Sequence, residues 1–120
     1  MRDSLKRKKP SSVNATPEVA DFVSKLKKGC YLLAIINNGL DKLKDNMFAG
    51  QKIEKKKFPK YYIQKYQINN LHKLNLDSRT RLTYTLVAEK SGVAVIVLEV
   101  LSHKNTTKDL GTSSFKTIEV

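Results

Sequence analysis

Apolar side chains recur at helical spacing in the first half of the chain and at strand spacing in the second. Val19, Phe22, Val23 and Leu26 stand at i, i+3, i+4 and i+7, one stripe of an amphipathic helix. Thr16-Pro17-Glu18 supplies its start: an N-cap hydroxyl, a proline at the first helical position and an acid near the positive end of the helix dipole. Lys27-Lys28-Gly29 supplies its end, with cations and a C′ glycine. A second helix is predicted from about Tyr31 to Asn46, with Leu33, Ile36, Leu40, Leu43 and Met47 on one face. Gly39 weakens its middle by about 1 kcal/mol relative to alanine. The two helices form a hairpin whose apolar stripe needs a sheet to cover it.

From Asn70 the period becomes two. Leu71 to Leu76 reads as a strand with His72, Leu74 and Leu76 on one face and Lys73 and Asn75 on the other. Asp77-Ser78-Arg79 reads as a turn. Thr80 to Ala88 is a strand with Leu82, Tyr84 and Leu86 inward and Arg81, Thr83 and Thr85 outward. Glu89 to Gly92 is a hairpin turn. Val93 to Leu101 is apolar on both faces, as a covered central strand should be. Between helices and strands, Gly50 to Pro59 is polar and lysine-rich, and Pro59 opens a short helix carrying Tyr61, Tyr62, Ile63 and Tyr66. Residues 1–15 read as a flexible basic tail and 105–120 as a poorly ordered end. The predicted fold is therefore one α+β domain over residues 16–104. An N-terminal αα hairpin packs on a small antiparallel sheet of three to four strands.

Charge sharpens this outline. Lys and Arg number 23 against 11 acids, a net charge of +12. The first ten residues hold +4 of it and the remainder +8, so the folded part is basic in its own right. Such a field favours an anionic polymer, nucleic acid ahead of an acidic protein. Cys30 is the only cysteine, flanked by Tyr31, Leu32 and Leu33, and reads as a buried thiol with no intrachain partner. The apolar runs are too short to span a bilayer, and the run Lys6-Arg7-Lys8-Lys9-Pro10 is followed by no apolar segment of a secretory signal. A cytoplasmic protein is expected.

No phosphate-binding glycine loop, metal-ligand cluster or nucleophile elbow is present in the sequence, and no small-molecule cofactor is expected. Basic side chains, hydroxyls and the two histidines, His72 and His103, remain as reagents. Strand alternation puts Lys73, Arg81 and Thr83 on one side of adjacent strands, with His103 just beyond the third. Metal-independent RNA cleavage needs a group that helps deprotonate a 2′-hydroxyl, a cation for the phosphorane-like charge and an acid for the leaving oxygen. Lys73, Arg81 and His103 fit those roles in that order. Lys52, Lys55, Lys56, Lys57, Lys60, Lys65, Arg79 and Lys104 are the side chains expected to meet phosphate. Tyr61, Tyr62 and Tyr66 lie among lysines, where aromatic rings either stack bases or cap the core beneath a short helix. His72 shares a face with Leu74 and Leu76 and is expected to be half-buried and hydrogen-bonded. Glu99 interrupts an apolar strand and needs a partner, expected to be Arg79 or a lysine.

The segments Asn70-Leu71-His72-Lys73-Leu74, Thr80-Arg81-Leu82-Thr83-Tyr84-Thr85-Leu86 and Val97 to Lys104 together resemble the RelE/ParE-type toxin superfamily, in particular its archaeal RelE-like branch. The resemblance covers roughly residues 17–104 and centres on Arg81 to Leu86. It implies a ribosome-associated mRNA endonuclease silenced by a small acidic antitoxin, whose amphipathic helix would cover the basic face. Arg81 falls on the family's strand arginine, Lys73 near its basic position on the preceding strand, and His103 and Lys104 where the C-terminal acid or cation sits. Asn105-Thr106-Thr107 occupies the stretch in which many members carry an aromatic, which favours the alternative of a non-catalytic RNA-, ribosome- or antitoxin-binding protein. A gyrase inhibitor of the ParE kind is a further alternative. Many members also open with a strand before the first helix, for which only Ser12-Val13 is available here.

Overall fold

A computed structural model of the chain describes residues 8–102. It is an α+β structure in which three helices and a short 3-10 turn accompany a five-stranded mixed sheet. In chain order the elements are β1 (Ser12–Ala15), α1 (Pro17–Ser24), α2 (Tyr31–Asp45), β2 (Gln51–Lys52), the 3-10 turn (Lys55–Lys57), α3 (Lys60–Tyr66), β3 (His72–Asn75), β4 (Thr80–Glu89) and β5 (Gly92–Ser102). The sheet runs β1-β5-β4-β3-β2, with β1 parallel to β5 and every other pair antiparallel.

The N-cap at Thr16 works as its sequence suggests. Its Oγ1 accepts the Val19 N–H at 3.3 Å, while the Thr16 N–H donates to Val97 O at 3.1 Å. The residue that starts α1 therefore also ends β1 against β5. The helix stops at Ser24, short of the Lys27-Lys28-Gly29 expected to close it; Gly29, at φ 83°, turns the chain into α2 instead. In α2 the buried stripe runs through Ile36, Gly39 and Leu43, joined by Leu32 and Leu40. Leu33 is outside this cluster, so the stripe is rotated slightly from the expected one. A Cβ at Gly39 would collide with Leu76 Cδ2, so the residue that costs the helix propensity is the one that lets it approach β3.

Two apolar clusters hold the layers together. In the first, Val19, Ile36, Leu43 and Met47 pack with Leu74, Leu82, Tyr84, Val95, Val97 and Val100. In the second, Phe58 and Tyr62 pack with Leu71 and Leu98, joined by Ile53, Tyr66, Ile68 and Ile96. The first two helices pack in the first cluster, while α3 and the segment before it cover part of the other face of the sheet. That is why β5 is apolar on both sides. The sheet is also mixed, not purely antiparallel, because Ser12–Ala15 adds a parallel edge strand within the residues assigned to a flexible tail. That strand has little apolar content of its own; Val13 alone packs on the core, and backbone bonds to β5 hold it in place.

Thr83 pairs with Glu99 whereas Tyr84 pairs with Val97, so Leu98 is an extra residue in β5. This β-bulge turns two consecutive side chains, Leu98 and Glu99, toward α3. Strict alternation would have put Glu99 with Val95 and Val97 in the first core.

His72 is buried, stacked on the Tyr84 ring with centroids 5.1 Å apart and planes at 17°. Burial, with a smaller contribution from Lys52, lowers its pKa from the usual 6.5, so the folded state holds it neutral. Its contribution to stability is therefore present above pH 6.5 and lost as pH falls through the depressed folded value. Urea unfolding of the wild type should show that acid-side loss, and His72→Phe should flatten it. Equal slopes in the two proteins would show that His72 is not held neutral.

Candidate nucleic-acid interface

The β3–β4 hairpin carries most of the predicted site. In register, Lys73 pairs with Thr83 and Asn75 with Arg81, so the two cations are diagonal neighbours on one face, the side of α3. The turn between them is built by Asp77, whose Oδ1 accepts the Arg79 N–H at 2.9 Å and the Thr80 N–H at 2.7 Å. Its Oδ2 accepts the Tyr31 hydroxyl at 2.7 Å, tying the tip to the start of α2. That hydroxyl, then the backbone amides, hold the Asp77 carboxyl below the usual carboxylate range, so it stays ionised.

An open cavity of about 290 Å³ lies at the tip, and Lys73, Arg79 and Arg81 line it together with Asn75 and Thr80. Three cations there face one carboxylate, Asp77, whose oxygens are already taken by the turn and Tyr31. Three cationic side chains around one cavity suit a phosphate group. Arg81 is half-buried; burial depresses its guanidinium and the neighbouring Tyr62 offsets part of that.

The other predicted cations are distributed differently. Lys52, Lys55, Lys56, Lys57 and Lys60 are all exposed. Lys52 and Lys55 line a second cavity of about 470 Å³ with Ile53, Glu54, Phe58 and Asn70, and it shares no lining residue with the first. Lys65 is committed within the fold: its Nζ is 2.9 Å from Glu18 Oε2 and 5.4 Å from the ring centres of Tyr61 and Tyr66. His103, Lys104 and Thr106, like the expected C-terminal tail, lie outside the described residues. His72 faces Tyr84 in the first core and takes no part in the cavity. Cys30 is half-buried, more open than expected.

The largest departure concerns Glu99 and the tyrosines. Among the described residues no lysine or arginine forms a salt bridge with Glu99, although Lys65 acts on it electrostatically. Instead the carboxylate accepts the Tyr62 hydroxyl at 2.6 Å on Oε1, with Tyr61 at 2.9 Å and Tyr66 at 3.4 Å on Oε2. The three rings meet edge to face with centroids 5.6–6.3 Å apart. Burial raises the Glu99 carboxyl above the usual range, and the hydroxyl donors offset only part of it. Burial also pushes the Tyr62 phenol far up, so it keeps its proton. Of the two roles open to these tyrosines, Tyr62 caps the second core, while Tyr61 remains exposed at its rim.

Among the described residues no group of three or more His, Cys, Asp or Glu is arranged to hold a metal ion, and no helix is long and apolar enough to cross a membrane. Comparison of the chain with protein-family models, curated proteins and solved structures yields no match.

Proposed function

We propose that this protein binds RNA through the tip of the β3–β4 hairpin, acting on mRNA at the ribosome in the manner of a RelE-like toxin, with a small acidic protein as its antitoxin. The observation that supports it is the cavity shared by Lys73, Arg79 and Arg81, a seat for one backbone phosphate. The net charge of +12 supplies the long-range attraction, to which the exposed lysines from Lys52 to Lys60 contribute.

Cleavage at this seat is the second reading. Lys73 and Arg81 lining one cavity favours it, since they are the residues assigned to 2′-hydroxyl activation and to stabilising charge at phosphorus. The acid role stays with His103 as an expectation from sequence, since that residue lies outside the described ones. Tyr62 and Thr83 are too buried to touch a substrate, so the reacting groups would be those of the cavity itself.

Fluorescence anisotropy with a single-stranded RNA separates binding from its absence. Arg81→Ala is expected to weaken binding about tenfold, about 1.4 kcal/mol, and to lower the salt slope by about 0.7, one phosphate contact. Unchanged affinity in both Arg81→Ala and Lys73→Ala would sink the phosphate seat. Cleavage is read separately, by mapping mRNA ends in a translating extract. Codon-phased cuts lost in Arg81→Ala support the nuclease; binding without cuts leaves a non-catalytic RNA-binding protein.

A further inference from the structure

The face that presents Lys73 and Arg81 also carries Glu99, one carboxylate on a surface otherwise suited to phosphate. A charge-matched phosphate seat gains nothing from it, and burying it is costly. Its surroundings show what it does. Across the sheet, Lys73, Thr83 and Glu99 form one row, because Lys73 pairs with Thr83 and Thr83 with Glu99. Tyr62 bridges that row from α3, with its hydroxyl 3.0 Å from Thr83 Oγ1 and 2.6 Å from Glu99 Oε1. A phenol has one proton, and the carboxylate takes it. Thr83 must therefore be the donor to Tyr62, which gives a directed chain from Thr83 to Tyr62 to Glu99.

This chain reaches the cavity through β4. Thr83 is two residues from Arg81 on the same strand face and is the cross-strand partner of Lys73, and both cations line the cavity. All three hydroxyls bound to Glu99 belong to α3, a helix of seven residues with no side-chain N-cap. So short a helix has little stability of its own. Its position over the sheet depends on the second apolar cluster, on this carboxylate, on the Lys65–Glu18 pair and on the Tyr66 hydroxyl, 3.4 Å from Leu98 O. The bulge at Leu98 is what aims Glu99 at α3.

We propose that Glu99 is a positioning residue for the phosphate seat: through Tyr62 and Thr83 it fixes α3 and β4 so that Arg81 is presented to RNA. The inference rests on the RNA-binding reading of that cavity. It also makes a prediction opposite in sign to simple electrostatics. Glu99→Gln raises the net charge by one, so a carboxylate acting only as a charge would weaken binding, and its removal would tighten it. A positioning carboxylate does the reverse.

The test measures affinity for a single-stranded RNA oligonucleotide across a salt series for wild type, Glu99→Gln, Tyr62→Phe, Arg81→Ala and the Glu99→Gln/Arg81→Ala pair. Circular dichroism and melting monitor the fold. Glu99→Gln should weaken binding about fivefold and lower the salt slope by about 0.7, the loss of one single-strand phosphate contact. Tyr62→Phe leaves charge and ring packing unchanged and should do the same; it carries the test if Glu99→Gln does not fold. In the Arg81→Ala background Glu99→Gln should change affinity by less than about twofold, since the group it acts through is gone. Tighter binding by Glu99→Gln overturns the proposal, as does an unchanged slope with additive effects of the two substitutions, the signature of general destabilisation. Wild type that fails to bind, or that is indifferent to Arg81→Ala, overturns the RNA-binding reading itself and this inference with it.

Discussion

Leu82→Ala is expected to destabilise the protein by about 2–5 kcal/mol, the range for removing a fully enclosed leucine side chain. Leu82 is 0% exposed and sits mid-strand in β4, opposite Leu74 on β3 and Val100 on β5. It belongs to the cluster in which Ile36 and Leu43 of α2 meet the sheet, so the cavity left behind is walled by three elements. The walls cannot collapse easily, because β4 is held by ladders on both sides. A domain of this size has roughly 5–15 kcal/mol in total, so the variant keeps only part of it. Urea denaturation should show a lower midpoint with the slope unchanged. A loss under about 1 kcal/mol would mean that α2 does not pack here as described.

Gly50→Ala is the second large effect, and it joins stability to the site. A Cβ at Gly50 would collide with the carbonyl oxygen of Lys73 and stand 2.8 Å from Tyr84 Oη. The obstacle is backbone, and it belongs to the strand that carries a residue of the phosphate seat. The Gly50 N–H also donates to the Tyr84 hydroxyl at 3.1 Å, and that hydroxyl donates to Met47 O at 2.9 Å. Overpacking of this kind costs about 1–3 kcal/mol, and loss of a buried hydrogen bond adds about 1. A total of about 2–4 kcal/mol is expected, accompanied by weaker RNA binding as β3 shifts. Gly39→Ala is the natural control. There the Cβ meets the end of the Leu76 side chain, which can rotate, and the gain in helix propensity of about 1 kcal/mol opposes the clash. Thermal melts that rank Gly39→Ala as the more damaging of the two would refute this account.

Much of the framework is legible in the sequence. The period-two pattern placed Leu74, Leu82 and Tyr84 on one face and Lys73, Arg81 and Thr83 on the other, and the register agrees. The Asp77 turn was legible because an Asp side chain caps such turns through its own backbone, as it does here. Other features had no local signal. Ser12–Ala15 is a strand only because β5, about eighty residues later, offers it an edge. The bulge at Leu98 is invisible to alternation, and with it the true surroundings of Glu99. An acid in an apolar strand was rightly read as needing partners, but tyrosine hydroxyls serve a half-buried carboxylate as well as a cation does, and spacing alone does not choose between them. The grouping of the cations is a further case: composition marks a basic stretch, while the fold decides that Lys73, Arg79 and Arg81 share a cavity and that Lys65 turns to Glu18.

The parallel pairing of β1 with β5 also orders events in time. On a growing chain, β4 and β5 can meet as a hairpin across a short turn as soon as both have emerged. β1 is synthesised first, yet its partner is the last strand of the described domain, and joining them closes a loop of about eighty residues. The oldest strand is thus the one that waits longest. Until it docks, the nascent domain leaves one edge of its most apolar strand unpaired, the edge through which strands of different chains add to each other. Ser12–Ala15 is short and poor in core residues, but its arrival is the step that withdraws the Ala94 to Val97 part of that edge from other chains.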